Sequence, residues 1–136
     1  MIIKIIAGAA FLIIILIILY TYTLFQAQKS PFNSPAKFLK ESAQSKNNKT
    51  VVCIGNSITH GRVSYNYVNI LSDDLSGHGY HFINAGINGN LAYNVVKRLD
   101  EIINCDPDYV TILIGTNDAN ASLSKKNSAR YMNDMA

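Results

Sequence analysis

The sequence predicts an α/β fold on a doubly wound parallel sheet, incomplete within these 136 residues and preceded by a transmembrane helix. Three observations predict it. Short apolar runs occur at VVCIG (51–55), YHFINA (80–85) and YVTILIG (109–115), almost without polar alternation. Segments with helical spacing separate them. The chain opens with a stretch that has no charge between Ile5 and Gln28. Unbroken apolar strands need cover on both faces, and amphipathic helices between parallel strands supply it.

The opening stretch carries 21 apolar residues among its first 25, interrupted by Lys4, Gly8, Thr21 and Thr23. Residues 5–25 would span about 30 Å as a helix, the thickness of bilayer hydrocarbon. Tyr20, Tyr22 and Phe25 stand at one end, where an aromatic belt sits. A cleavable signal peptide is the competing reading, which would make the protein secreted. Its apolar core normally runs about 7–15 residues and ends in a small-x-small site. Here the run is longer, and Leu24-Phe25-Gln26-Ala27 puts a large residue at the −3 position. Residues 1–25 are therefore expected to be an uncleaved single-pass anchor. The lysines after the span favour the reverse orientation by count, yet a short basic start followed by an export-type leader favours an extracytoplasmic domain. Residues 26–50 are polar, carry Pro31 and Pro35, and show no sustained period. They are expected to be a linker that lifts the domain off the membrane.

Residues 51–136 are expected to be the folded part. After the first strand, Val63, Tyr67, Val68, Leu71 and Leu75 recur at helical spacing, and Gly77 and Gly79 stop the helix. After the second strand, residues 91–103 predict one helix with Leu91, Val95, Leu99 and Ile102 on a face. Asp106-Pro107-Asp108 breaks it and leads into the third strand, and Leu123–Met135 predicts a further helix.

The net charge of +3 divides into +1 over 1–25, +4 over 26–50 and −2 over 51–136. The basic excess lies beside the leader and not on the domain, so nothing marks a nucleic-acid surface. Cys53 and Cys105 are expected to be buried small hydrophobes. Neither cysteine nor histidine is spaced for a metal, and no cofactor motif stands out. Gly55 to Gly61-Arg62 has one residue too many for a phosphate loop and lacks its Lys-Ser/Thr, and there is no GxGxxG.

In open parallel sheets, ligands bind beyond the carboxyl ends of the strands. Three residue sets fall there: Gly55-Asn56-Ser57-Ile58-Thr59-His60-Gly61, Asn84-Ala85-Gly86-Ile87-Asn88-Gly89-Asn90 and Gly115-Thr116-Asn117-Asp118. Ser57 supplies a hydroxyl before a helix, Gly89 an unobstructed N–H and Asn117 a side-chain amide. A nucleophile with converging donors is what acyl transfer needs. Read singly, Ser57 and Thr59 are N-caps, Gly86 and Gly89 turn glycines, and Asn117 or Asp118 a helix cap. Read together at three successive strand ends, they point to a site.

These three sets resemble, in order and spacing, the blocks of the SGNH hydrolases, the GDSL-type esterases and lipases, over about residues 50–120. The resemblance implies a flavodoxin-like sheet. It also implies Ser57 as nucleophile and oxyanion N–H donor, Gly89 as a second N–H donor and Asn117 as the side-chain donor. Asn56 stands where the family commonly has Asp. The family's Asp-x-x-His block has no counterpart in these 136 residues. His60 is expected to face solvent or substrate, and His78 and His81 to lie at the amino edge of the sheet. The expected function is an anchored serine ester hydrolase acting on a small-molecule, glycan or lipid ester, nearly inactive as this stretch alone. The alternative is a membrane-tethered, non-catalytic binding module of the same fold.

Overall fold

A computed structural model describes residues 2–41, 48–62 and 64–123. Three parallel strands, β1 (Lys49–Gly55), β2 (Tyr80–Gly86) and β3 (Tyr109–Leu113), form a sheet in the order β2-β1-β3. Alternate residues of β1 feed opposite faces, as the pleat requires. Val52 and Ile54 join Ile83, Ala85, Val95, Ile102 and Cys105 in one apolar layer. Val51 and Cys53 join Phe82 and Val68 in the other, with Tyr67, Leu71 and Leu75 packed on it. The sheet is doubly wound, with β1 and β2 covered on both sides and β3 exposed. Cys53 and Cys105 are buried free thiols, and burial pushes Cys105 up to about 11.

The helices depart from the expected pattern in informative ways. α1 (Ile2–Gln28) is an exposed 27-residue helix, with the window Ile6–Gln28 long and apolar enough for a membrane span or a signal sequence. Residues 29–41, part of the polar linker expected over 26–50, dock on the sheet. Asn33 accepts from Asn84 N at 2.8 Å through its main-chain oxygen, and its side chain donates to the Phe82 oxygen at 3.1 Å. It thereby occupies the outer edge of β2, which would otherwise expose unpaired backbone groups. α2 (Pro35–Glu41) follows, and its Phe38 packs on the first apolar layer. A polar composition concealed this because the docking uses backbone and amide groups, which leave no hydrophobic period.

After β1 comes a single turn, α3 (Ser57–His60), then α4 (Tyr67–Leu75), which ends in a 3-10 turn at Ser76–His78. Val63 lies outside the described residues. The single helix expected over 91–103 is two, α5 (Ala92–Val96) and α6 (Leu99–Ile103). The break falls at Arg98, whose φ of −119° and ψ of 21° leave the helical region. Its guanidinium satisfies strand-end carbonyls instead, as described below. α7 (Thr116–Leu123) begins three residues after β3, so Asn117 and Asp118 lie in its first turn. The rest of the helix expected over Leu123–Met135 lies outside the described residues.

Candidate active site

The register puts the three strand ends level. Gly55 pairs with Gly86 on one side and with Leu113 on the other. With neighbouring strands about 4.8 Å apart, the rim from β2 to β3 is about 10 Å across. Ser57, Gly89 and Asn117 follow those ends by a few residues, so all three leave the sheet on the same rim.

Ser57 opens α3, but the cap of that helix is Asn56. The Asn56 side chain is buried and accepts from Ile58 N at 3.0 Å. This corrects the reading of Ser57 and Thr59 as caps. A neutral amide does the capping that a carboxylate would do, since an N-cap needs only a side-chain oxygen acceptor. Thr59 is buried, with its hydroxyl 3.3 Å from the Tyr67 hydroxyl.

The β1 and β2 loops are fastened to each other. Ile87 N donates to the Gly55 oxygen at 3.1 Å. Asn84, fully buried, donates to the Thr59 oxygen at 2.8 Å and accepts from Gly86 N at 3.0 Å. Gly86 runs so close to α3 that a Cβ there would fall on the Thr59–His60 backbone, so only glycine fits. Gly89 is different: a Cβ would meet open space, and it is φ of +76° that calls for glycine.

The third loop joins through polar groups. Asn117 Nδ2 donates to the Asn90 oxygen at 3.0 Å, next to Gly89. An amide nitrogen carries two protons, so one remains for another acceptor. The Asp118 carboxylate accepts from Ala92 N at 3.0 and 3.2 Å, at the start of α5.

Arg98, which sequence reasoning passed over as part of an amphipathic helix, ties these loops together. Its Nη2 donates to the Ala85 oxygen at 2.6 Å and lies 3.5 Å from the Gly55 oxygen. Its Nε donates to Asn90 Oδ1 at 3.0 Å. Burial lowers its pKa, and Glu101 opposes that shift from 3.8 Å. The available sequence signal was a cation inside a short helical segment directly after the second loop.

His60 is not solvent-facing, which corrects the solvent half of the sequence expectation. It is 4% exposed, and Nε2 lies 3.0 Å from the Lys29 oxygen. Burial holds its pKa below the ordinary histidine value. The docked N-terminal segment, invisible as such in the sequence, is what covers it. His81 lies near the amino end of β2, five residues from Gly86, and His78 precedes the strand. Among the described residues, no group of three or more His, Cys, Asp or Glu side chains could hold a metal.

Residues 53–135 match the model of the GDSL-like lipase/acylhydrolase family. The chain is similar to the crystal structure of an acetyl xylan esterase, at 32% identity over 57% of this chain and 42% of that one, with a TM-score of 0.49. A GDSL-like lipase from Bacteroides thetaiotaomicron is 28% identical over 77% of this chain and 50% of its own, with a TM-score of 0.46. An SGNH-hydrolase family esterase is 21% identical over 67% and 52%, with a TM-score of 0.49. The chain spans about half the length of these solved structures. No curated protein matches it. With the family model matched over residues 53–135, more than half of its length, the chain belongs to the GDSL-like lipase/acylhydrolase family.

Proposed function

We propose that this protein is a serine ester hydrolase in which Ser57 forms an acyl-enzyme. Ser57 Oγ attacks the ester carbonyl, its proton passes to a base, and the carbonyl oxygen becomes an oxyanion. The Ser57 and Gly89 N–H groups and the remaining Asn117 amide proton stabilise that oxygen. The alcohol departs with a proton, and water then releases the acid and restores Ser57. The observation that carries this reading is the level register of Gly55, Gly86 and Leu113, with Asn117 bonded beside Gly89. Oxyanion donors fixed before reaction need no reorganisation as charge develops.

None of the described histidines is assigned as the base. His60 is engaged with Lys29, and His81 starts the far end of a strand that spans about 20 Å. The base is proposed to come from an Asp-x-x-His block, which these 136 residues do not contain. The substrate is an ester of a small molecule, glycan or lipid. α1 acts as a single-pass anchor, residues 1–25 being the span, and the domain lies outside the cytoplasm.

Fluorophosphonate labelling of the protein encoded by the complete reading frame tests the chemistry. Label is expected on Ser57 and is expected to vanish in Ser57→Ala, while the 136-residue stretch alone turns over p-nitrophenyl acetate no faster than its S57A form. Absence of label, or label that survives S57A, overturns the reading. It would favour a tethered, non-catalytic binding module of the same fold, the alternative supported by the engagement of His60 Nε2, in the same helical turn as Ser57, with the Lys29 oxygen.

A further inference from the structure

The residues that follow the apolar span are bonded to the rim that carries the candidate site. Arg62 Nη2 donates to Gln26 Oε1 at 3.0 Å, Asn88 Nδ2 donates to the Ala27 oxygen at 2.7 Å, and His60 Nε2 lies 3.0 Å from the Lys29 oxygen. His60 and Arg62 border the β1 loop, and Asn88 belongs to the β2 loop. Helical rise places Gln28 only about 5 Å beyond Phe25. A headgroup layer is about 5–8 Å deep on each side of the hydrocarbon. With α1 spanning a bilayer, these bonds therefore lie at headgroup depth. Ile58, 44% exposed, and Ile87, 43% exposed, sit on the same loops beside Ser57 and Gly89. Phe25 and Phe32 are also exposed along this path. Isolated exposed apolar residues are ordinary, but here they flank a site clamped to the end of a candidate membrane span.

We infer that the strand-end rim faces the lipid headgroups, and that the ester it takes is carried by a membrane amphiphile with its acyl chain in the bilayer. The substrate class rests on the esterase reading above; the orientation does not. A long tether would let the rim sample bulk solvent, whereas three bonds within four residues of the span hold it at the surface.

The orientation is tested on the full chain in vesicles of phosphatidylcholine and phosphatidylglycerol, three to one. Single cysteines introduced as Ile58→Cys, Ile87→Cys and, as a control before β2, Gly77→Cys are labelled with bimane. The buried Cys53 and Cys105 should stay unlabelled, which the parent chain checks. Dibrominated phosphatidylcholine is expected to quench positions 58 and 87 at least twofold more than position 77. Equal or reversed quenching overturns the orientation.

The substrate class is tested with the complete reading frame and a twelve-residue Gly-Ser insert between Phe25 and Gln26. The insert keeps the clamp but frees the domain from the surface. Hydrolysis of 4-methylumbelliferyl oleate in the vesicles is expected to fall at least fivefold, with the soluble butyrate ester unchanged. Equal effects on both esters overturn the substrate class. Loss of Ser57 labelling counts against the esterase reading alone, since quenching needs no chemistry.

Discussion

On one flank of β1, β2 is buried from Phe82 to Gly86 and its outer edge is occupied by Asn33. On the other flank, every residue of β3 is exposed. Burial and a buried amide network hold the loops after β1 and β2. β3 and the loop after it are clipped by polar bonds, at Asp108 to Thr50 before the strand and at Asn117 and Asp118 after it. The candidate site therefore joins a well-packed half bearing Ser57 and Gly89 to a lightly packed half bearing Asn117. Packing fixes the strand ends that lead to Ser57 and Gly89, whereas hydrogen bonds across the rim hold Asn117. Arg98 spans the β1 and β2 strand ends and reaches Asn90, the residue that Asn117 also bonds.

The difference can be broken most severely in the core. Ile83 is fully buried and Ile112 is 64% exposed. Ile83→Ala is expected to cost about 2–5 kcal/mol, because a cavity is left in a close-packed layer. Ile112→Ala should stay within about 0.5 kcal/mol. Denaturant unfolding of the two variants in detergent measures the contrast; equal losses would mean the flanks do not differ as described.

Asn117→Ala separates placement from packing. If Asn117 supplies an oxyanion donor, kcat is expected to fall about 10²–10³-fold with KM little changed. The melting temperature should move little, since the side chain is only partly buried. A large KM effect with normal kcat would instead assign Asn117 to substrate binding.

Asn84→Ala probes the buried network. The change strands the Thr59 oxygen and Gly86 N, with an expected loss of about 1–3 kcal/mol. Thermal unfolding reads this directly, and a neutral result would show that water replaces the amide.

The smallest expected effect is on acid stability. Burial lowers the His60 pKa, so the unfolded chain binds this proton more readily than the folded one. Between the unfolded value of about 6.5 and the lower folded value, stability must fall as pH falls. Above about 6.5 both states are neutral and the effect is absent. Comparing melting temperatures at pH 7.5 and 5.5 should show a smaller drop in His60→Gln than in the parent chain.

Much of this was legible in the residues. Apolar runs marked all three strands within a few residues; for β1 and β2 the reason is that a strand buried on both faces leaves little choice of side chain. The candidate site was legible as well, since turns at strand ends demand Gly and Asn and those residues recur in family order. The split at Arg98 was not, because its partners are carbonyls of Gly55 and Ala85, distant along the chain. Nor was the docking of Asn33 on β2, or the burial of His60 beneath Lys29. Each depends on a main-chain group, and main-chain groups are the same in every sequence.

Local composition thus determined by itself the class of fold, the apolar leader and the positions from which chemistry could issue. Only the tertiary structure decided that residues 26–35 belong against the domain and that Asn56 and not Ser57 caps α3. Hydrophobic period is written into side chains residue by residue. The pairing of a backbone oxygen with a distant amide is chosen only when the chain has folded and the two arrive together.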